Sequence, residues 1–521
     1  MKQVETTTSL SYKIFVFLVC FFANLTVTFE AYGTTLASDL ITGYFAVDQN
    51  YGTWILGAFL IGMASAIPTV AYFRGRYSDD KIYQVSLLML SICSFTSLFI
   101  ESFVVFTIVR FFCGFFGSLV VNLTIQLLQT IVDERSKNLI RSYGVFVFFL
   151  NLGVASLICG FIYKLYFWKL VFFLEGICAL LMSNLIKKIK FLPREIKVKT
   201  FDFRGFAFFC LFVVLSRTYF SQAKAAWNTL GWSSDFSFIV LGLTLFSLYQ
   251  LIQSSLKENG VFDFTLFKNP RFVLACFIAV MIRSIVFGPQ IHLIDLLYKA
   301  FLYEFDRVGI LLFIYGVSIF VSGMIFSFLE VLKKIPHIYI AFTSISLMAI
   351  DSFLTHSLTI ISSGFDIGFI LVIKGCSIGF ALYSLDLYLQ DIIAAEGREK
   401  ALTLNQSVGA YTTAISSAVL GAIIVTRMAY HSLIFGEQVN EASAAYKNFM
   451  SQYVEVFKEN SIDHMQAIDQ AKSYLIDYIQ RQSYIASYDD AVFIYGLVNV
   501  FGLGLILLDF YFAKRRKEKE A

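Results

Sequence analysis

Charged side chains that interrupt long apolar runs are the residues of this 521-residue chain best placed to do chemistry. Glu30 and Arg110 each lie in such a run, and Arg110 stands within "VFTIVRFFCGFFGS" (Val105–Ser118). A guanidinium group is costly in hydrocarbon unless it meets a carboxylate, a bound anion or water. A carboxylate beside such a cation can take up and release a proton. Its dehydrated surroundings raise its pKa, and the neighbouring cation lowers it. We therefore interpret Glu30 and Arg110 as candidates for proton coupling.

The composition indicates which elements must position these charges. The chain is 58% hydrophobic and 15% charged, whereas soluble domains are about 25% charged. Apolar runs of about eighteen residues or more recur along it, and each can cross the ~30 Å of bilayer hydrocarbon. These runs predict an all-α polytopic membrane protein with about fourteen transmembrane helices. The predicted spans are residues 13–34, 53–73, 82–100, 103–128, 140–163, 166–186, 205–222, 235–254, 272–298, 307–329, 337–360, 365–389, 402–427 and 489–512.

The distribution of Lys and Arg predicts the orientation of these spans. An even number of spans places both termini on one side of the membrane. Most of the 41 Lys and Arg fall on that side, including the clusters "KKIKFLPREIKVK" (Lys187–Lys199) and "KRRKEK" (Lys514–Lys519). Positively charged loops stay inside, so we expect both termini to be cytoplasmic. The first apolar run is then a retained helix, and the polar segment 428–488, with two amphipathic helical patterns, lies outside.

Several other kinds of chemistry are disfavoured by the same sequence. All eight cysteines lie inside apolar runs, as small buried side chains do, without a disulfide or metal spacing. The net charge of +4 comes from basic residues at helix ends and does not indicate nucleic-acid binding. We find no nucleophile–base spacing, metal-ligand set or phosphate loop, so we expect neither an enzyme nor a bound cofactor.

The depths of Glu30 and Arg110 suggest that they meet. Arg110 lies about seven residues, or ~10 Å at 1.5 Å per residue, inside the outer end of the fourth span. Glu30 lies at a similar depth in the first span, which runs in the opposite direction. We expect a pair between the two spans. Either this pair locks the helices together permanently, or Glu30 is protonated during a cycle and then releases Arg110.

Several stretches, taken in order, resemble the major facilitator superfamily, and in particular its fourteen-helix drug:proton antiporter branch (EmrB/QacA-like). "YGTWILGAF" (Tyr51–Phe59) resembles that branch's second helix, and Arg110 followed by Gly114 resembles its fourth-helix motif. "FWKLVFF", "LFKNPRF" and the long polar segment before the last span match by position. The fifth-helix stretch "NLGVASLICGF" (Asn151–Phe161) departs from the branch, because it lacks the proline of the antiporter motif.

This resemblance implies a fold and a domain organisation. It divides the chain into a six-helix bundle at residues 1–186, a linker with two additional helices at 187–270, and a second six-helix bundle at 271–521. The bundles of such a fold enclose a midplane cavity that opens alternately to each side. By the family pattern, the first, fourth, ninth and twelfth spans face that cavity. Gly114, Gly153 and Gly160 would allow the close helix contacts that a rocking motion needs.

The remaining membrane-embedded cations suggest a substrate class. Arg283 and Lys374 lie near the middle of the ninth and twelfth spans, so with Arg110 they could give the cavity a surplus positive charge. An anionic substrate would fit that charge. The alternative is that each cation pairs with a neighbouring carboxylate. Further polar side chains that could bind substrate, or could simply join helices, are Gln126, Gln129, Gln290 and the pH-sensing candidate His292.

We therefore expect a proton-coupled exporter of an amphiphilic anionic small molecule, such as a carboxylate siderophore. A broad multidrug efflux pump is the alternative within this class, and a non-transporting membrane receptor or scaffold is the alternative outside it. The family resemblance suggests the inner membrane of a bacterium. The outer segment 428–488 would then allow a periplasmic adaptor protein to dock.

Overall fold

The computed structural model describes residues 10–48, 51–130, 137–165, 167–189, 191, 201–229, 235–256, 260–333, 337–392, 398–440, 442–459 and 463–520. Within these ranges all regular structure is helical, which confirms the predicted all-α class. The long helices are α1 (Leu10–Thr28), α2 (Gly52–Arg74), α3 (Asp79–Ser97), α4 (Phe103–Thr130), α5 (Lys137–Lys164), α6 (Trp168–Leu185), α7 (Phe203–Thr229), α8 (Asp235–Ser255), α9 (Pro270–Asp295), α10 (Phe305–Lys333), α11 (His337–Thr355), α12 (Gly364–Ile392), α13 (Arg398–Gln438), α14 (Ala444–Glu459) and α15 (His464–Glu520).

Twelve helices of the described residues are long and apolar enough to cross a membrane. Helices α3 and α11, which correspond to two more predicted spans, are absent from that set. In α11 only Phe342–Thr355 is counted as apolar helix, which is too short to qualify. Both helices nevertheless pack inside the molecule, α3 against α4 and α6, and α11 against α12 and α15. The predicted number of fourteen spans is therefore approximate.

Local sequence signals explain where several helices begin and turn. Arg74 at the end of α2 forms a two-bonded ion pair with Asp79, the first residue of α3, with N–O distances of 2.8 and 2.9 Å. Acidic residues at a helix start are favourable because they face the positive end of the helix dipole. Pro270 begins α9, where its missing N–H costs nothing.

Two groups of helices can be distinguished by their packing. Helices α1 to α6 pack against one another, and so do α9 to α13 together with α15. Helix α7 contacts both α2 of the first group and α13 of the second, and α8 packs on α7. We call the two groups the N-terminal and the C-terminal bundle. The additional pair α7 and α8 thus lies beside the line where the bundles meet.

A seam of glycines joins the bundles along α5 and α10. A Cβ atom built on Gly153 would lie 3.1 Å from the Cα atom of Phe313, and one built on Gly160 would lie 2.5 Å from the carbonyl oxygen of Phe305. Gly309 and Gly316 face these residues from α10, and built Cβ atoms there would lie 2.7 and 2.6 Å from α5 carbonyl oxygens. The two helices therefore touch backbone to backbone, which side chains at these positions would prevent.

The polar segment before the last span is also helical. Helix α13 continues to Gln438, α14 follows it, and α15 begins at His464, far before the predicted last span. Helix α14 packs on α15 through a ring cluster in which Tyr453 and Tyr474 have centroids 4.7 Å apart. The two amphipathic patterns of segment 428–488 thus correspond to α14 and the first part of α15.

Candidate functional site

Glu30 lies in an irregular turn that interrupts the first helix. Phe29–Gly33 form a π-helical turn directly after α1, and short helices at Thr34–Leu36 and Ser38–Tyr44 continue the chain. The Thr34 hydroxyl donates a hydrogen bond of 2.6 Å to the Glu30 carbonyl oxygen. Tyr163 of α5 donates to the Gly33 carbonyl at 2.7 Å and holds the turn from the other side. π-Helical turns often occur at functional sites because they redirect side chains.

Arg110 of α4 is in direct contact with this turn. Its guanidinium group forms an ion pair with the Glu30 carboxylate and donates a hydrogen bond to the Glu30 carbonyl oxygen. It also donates to the Thr34 hydroxyl oxygen at 2.8 Å. The Glu30 and Arg110 side chains are both fully buried. The structure thus brings together the two residues that their depths in the sequence predicted to meet.

The phenylalanine rings around Arg110 make cation–π contacts with its guanidinium group. The guanidinium carbon lies 5.9 Å from the ring centroid of Phe59, 5.8 Å from that of Phe106 and 5.7 Å from that of Phe172. The faces of aromatic rings attract cations within about 6 Å. Gly114, one turn after Arg110, has no room for a side chain because the backbone of α2 at Phe59 lies against it. This close contact places the Phe59 ring beside the guanidinium group.

A second carboxyl group near Arg110 was not assigned to the site from the sequence. Glu175 of α6 is fully buried, and its Oε1 atom lies 2.7 Å from the Ser94 hydroxyl oxygen of α3. It interacts electrostatically with Arg110. Helix α6 is outside the set of helices that face the cavity in the family pattern. In the sequence, Glu175 is a lone acid in the apolar run "FFLEGICALL". The same signal identified Glu30 as a candidate functional residue, and it could have identified Glu175.

Lys374 does not contribute a free charge to a shared cavity. Its ammonium nitrogen lies 3.2 Å from a carboxylate oxygen of Asp351 on α11, and both side chains are at most 6% exposed. This local pair corresponds to the alternative interpretation of Lys374, in which the cation pairs with a neighbouring carboxylate. The surplus positive charge predicted from Arg110, Arg283 and Lys374 is therefore reduced, because Glu30 and Asp351 neutralise two of the three.

Arg283 and a further buried arginine lie against helix α13. The Arg283 side chain, which is half-buried, packs directly on Gly409, where a side chain would collide with it. Arg217 of α7 is buried and donates hydrogen bonds to the Ala414 carbonyl, to Ser417 Oγ at 3.2 Å and to the Thr53 carbonyl at 2.9 Å. Arg217 therefore connects α2, α7 and α13, a role that the sequence alone did not suggest.

His292 takes part in hydrogen bonding between helices. Its Nε2 atom lies 2.9 Å from the Ser417 carbonyl oxygen, and its Nδ1 atom lies 4.0 Å from the Asp295 carboxylate. Lys299, one helical turn after Asp295, bridges the carboxylates of Asp295 at 3.0 Å and Asp39 at 3.4 Å. Since Asp39 follows α1 and Asp295 ends α9, this lysine links the two bundles.

The glutamines proposed to bind substrate can be placed only in part. Gln126 of α4 is half-buried, and its side-chain oxygen has no hydrogen-bond partner within the part of the chain that the structure describes. The side chains of Gln129 and Gln290 lie outside that part. A substrate-binding role for these glutamines, and for Arg283 and His292, stays a prediction.

Fold and site together define a polytopic helical membrane protein with two bundles and ion pairs buried between their helices. The sequence pattern of the Major Facilitator Superfamily matches residues 15–417, and the chain belongs to this superfamily. It is an integral membrane protein, and the family resemblance of its motifs is confirmed.

Individual relatives are distant. The multidrug export protein EmrB of Escherichia coli K12 is 21% identical over 285 residues, which cover 53% of this chain and 54% of EmrB. The chain thus spans about half the length of the curated relatives it matches. The human organic anion transporter MFSD10 has a TM-score of 0.57 at 11% identity, covering 95% of this chain and 99% of its own. A D-xylose-proton symporter has the same TM-score at 14% identity, covering 80% and 90%. At these identities the solved structures establish the fold alone.

Proposed function

We propose that this protein is a proton-coupled secondary transporter that exports a small amphiphilic molecule. The observation that carries the proposal is the ion pair between Glu30 and Arg110, which is sealed inside the N-terminal bundle. A charge pair of this kind is costly to bury and is a functional site by default in a membrane protein.

A proton can act on this pair through simple electrostatics. In the described state the Glu30 carboxylate neutralises the guanidinium group. Protonation of Glu30 removes the negative charge, and a buried cation without a counter-charge is strongly destabilised. Arg110 must then find another acceptor or water. Because Arg110 belongs to α4 and Glu30 to the turn after α1, this movement changes the contact between two helices of the bundle. Such a change can couple proton binding to the opening of one face.

Similarity to EmrB supports export rather than another direction of transport. EmrB is a multidrug export protein, and its match to this chain covers about half of either sequence. The family resemblance of the motifs points to the same drug:proton antiporter branch. We extend the direction of transport from EmrB to this chain as part of the proposal.

The pairing of the buried charges favours a broad amphiphilic substrate over a strongly anionic one. Glu30 and Asp351 neutralise Arg110 and Lys374, so these cations offer little net attraction to an anion. One observation favours a carboxylate substrate, including a siderophore. Among the described residues, the acceptors of Arg217 are two main-chain carbonyls and one hydroxyl. Because these acceptors are neutral, they do not compensate the positive charge of Arg217, which would attract a carboxylate. Because two of the buried cations are already neutralised, we rank the anionic substrate second.

Transport by reconstituted protein tests the proposal. Proteoliposomes would be loaded with a fluorescent lipophilic cation or a fluorescent polycarboxylate, and flux measured with and without a pH gradient. We expect gradient-driven flux of the wild type. In Glu30→Gln we expect loss of the gradient's effect, while exchange of substrate at equal pH persists, because only the proton site is changed.

A matched control separates this effect from a general disturbance. Glu101 is an exposed glutamate between α3 and α4, so Glu101→Gln should transport like the wild type. Wild-type flux that ignores the pH gradient would contradict proton coupling. Absence of flux for both probes in every condition would favour the receptor or scaffold alternative.

A further inference from the structure

The N-terminal bundle contains a second buried carboxyl group, which has no partner of opposite charge in direct contact among the residues that the structure describes. Glu175 of α6 is fully buried, and its Oε2 atom has no hydrogen-bond partner in the described structure. Within the described residues, no basic nitrogen forms an ion pair with it. An ionised carboxylate in such a place would bear most of its desolvation cost uncompensated. The geometry therefore favours a neutral, protonated Glu175.

The hydrogen bonds of Ser94 are compatible with the same protonation state. The Ser94 hydroxyl oxygen lies 2.8 Å from the Leu90 carbonyl oxygen and 2.7 Å from Glu175 Oε1. A serine hydroxyl carries one proton and can donate fully to only one of these oxygens. The carbonyl of Leu90 can only accept. If Ser94 donates to Leu90, both contacts are satisfied when Glu175 carries a proton and donates it to Ser94.

Glu175 lies close to the Glu30–Arg110 pair in the fold. Phe172, one helical turn before Glu175 on α6, has its ring centroid 5.7 Å from the Arg110 guanidinium carbon. Arg110 interacts electrostatically with Glu175. Among the described residues, the bundle interior thus contains one guanidinium group and two carboxyl groups. With one proton bound to a carboxyl, the cluster has no net charge; with none, a negative charge remains buried.

The other titratable groups around Glu175 cannot supply this balance near neutral pH. They are Cys93 of α3, Cys113 of α4, Cys159 and Tyr163 of α5, and Cys178 of α6. Thiols and phenols ordinarily ionise only above pH 8, so they remain neutral at pH 7. Arg110, Glu30 and Glu175 are therefore the groups whose charges must compensate one another.

We propose that Glu175 is a second proton-binding site of the transporter, which alternates with Glu30 in neutralising Arg110. In the described state Glu30 is a carboxylate and Glu175 is a carboxylic acid. A hydronium ion gives a proton to Glu30, so that an O–H bond of the hydronium breaks and an O–H bond forms on Glu30. The O–H bond of Glu175 breaks, and its proton goes to a water molecule, which becomes hydronium. Arg110 then pairs with the Glu175 carboxylate. One proton is bound and one is released, so the buried cluster stays neutral throughout. The proposal rests on the proton coupling proposed above.

Infrared difference spectroscopy of the purified full-length protein tests the protonation states directly. The C=O stretching band of a protonated carboxylic acid is resolved from that of a carboxylate. At neutral pH we expect a carboxylic acid band in the wild type that is absent from Glu175→Gln. In Ser94→Ala the band should remain and shift, because its hydrogen-bond partner is lost. In Glu101→Gln it should be unchanged.

A third variant tests the alternation itself. Glu30→Gln keeps position 30 neutral, so Arg110 loses its counter-charge and should draw Glu175 into the ionised form. We expect the Glu175 band to disappear in Glu30→Gln at neutral pH. Persistence of the band there would overturn the alternation. If Glu175→Gln retains every carboxylic acid band of the wild type, or if Ser94→Ala shifts none, Glu175 is not protonated and the inference fails.

These outcomes are separable from failure of the proposed function. Flux insensitive to a pH gradient, with the Glu175 band present and lost in Glu30→Gln, would contradict proton-coupled transport but leave the alternating charges in place. Gradient-driven flux with no band sensitive to position 175 would contradict the second proton site alone. If Glu175→Gln does not fold, the comparison of wild type, Ser94→Ala and Glu30→Gln decides.

Discussion

A methyl group added at Gly316 tests whether the contact between α5 and α10 must remain close for transport. A Cβ atom built there would lie 2.6 Å from the Phe149 carbonyl oxygen and 2.9 Å from the Cα atom of Gly153. Ordinary van der Waals contact begins at 3.4 Å. Because these neighbours are backbone atoms, they cannot move aside as a flexible side chain would. The helices must separate locally by up to about 0.8 Å, and overpacking of this kind costs about 1–3 kcal/mol.

The effect should appear in both stability and transport. We expect Gly316→Ala to unfold at a lower temperature than the wild type. Substrate exchange should slow because the two bundles can no longer move along the seam in their native geometry. Thermal unfolding of purified protein and exchange in proteoliposomes at equal pH would measure the two effects. A substrate-binding titration would show whether affinity is retained while the rate falls.

Gly242 of α8 provides the matched control. A Cβ atom there would meet no atom within 4 Å, so Gly242→Ala should be neutral or slightly stabilising, since alanine favours helix over glycine by about 0.5–1 kcal/mol. If Gly316→Ala and Gly242→Ala have the same unfolding temperature and the same exchange rate, the seam tolerates an added side chain and the reasoning about its tight packing is wrong.

Three further predictions concern charges. Lys374→Ala leaves the Asp351 carboxylate buried without its partner and should destabilise the protein by about 3–5 kcal/mol; the double variant Lys374→Met with Asp351→Leu should unfold near the wild-type temperature, and equal losses for both would contradict the pairing. Arg217→Lys, which cannot reach three acceptors on two separate helices with one ammonium group, should lower the unfolding temperature, and an unchanged value would show that the bridge between α2 and α13 contributes little. Lys164→Ala breaks exposed ion pairs with Asp306 and Glu304, so the loss of stability should be small and should vanish in high salt; a large loss, insensitive to salt, would mean that this link is stronger than its exposure suggests.

The buried charges share one arrangement that bears on the substrate. Arg110 and Lys374 each have a carboxylate partner on a neighbouring helix of the same bundle. A shared chamber with unbalanced positive charge would instead require these groups to face one another across the bundle contact. An amphiphilic substrate that is bound mainly through apolar and aromatic side chains is consistent with this local pairing.

Much of the architecture could be predicted from the sequence because its signals are local. Long apolar runs predict helices wherever they occur, since a backbone in hydrocarbon must satisfy its own hydrogen bonds. The pair between Glu30 and Arg110 was also predictable, because depth along a membrane helix follows from residue number at 1.5 Å per residue. The count of spans was less certain, since α3 and α11 are short or less apolar and rely on packing inside the bundles.

The partners of the other charges were decided only by the tertiary structure. Residue number places Lys374 near the middle of α12 but does not say which neighbouring helix it faces. That helix is α11, which brings Asp351 to it. Glu175 and Arg217 likewise depend on how α6 and α7 pack against their neighbours. Hydropathy and depth are properties of one helix, so the helices and the depth of each charge follow from the order of residues alone. The direction in which a side chain points depends on helix rotation and packing, so only the assembled bundles determined which charges meet.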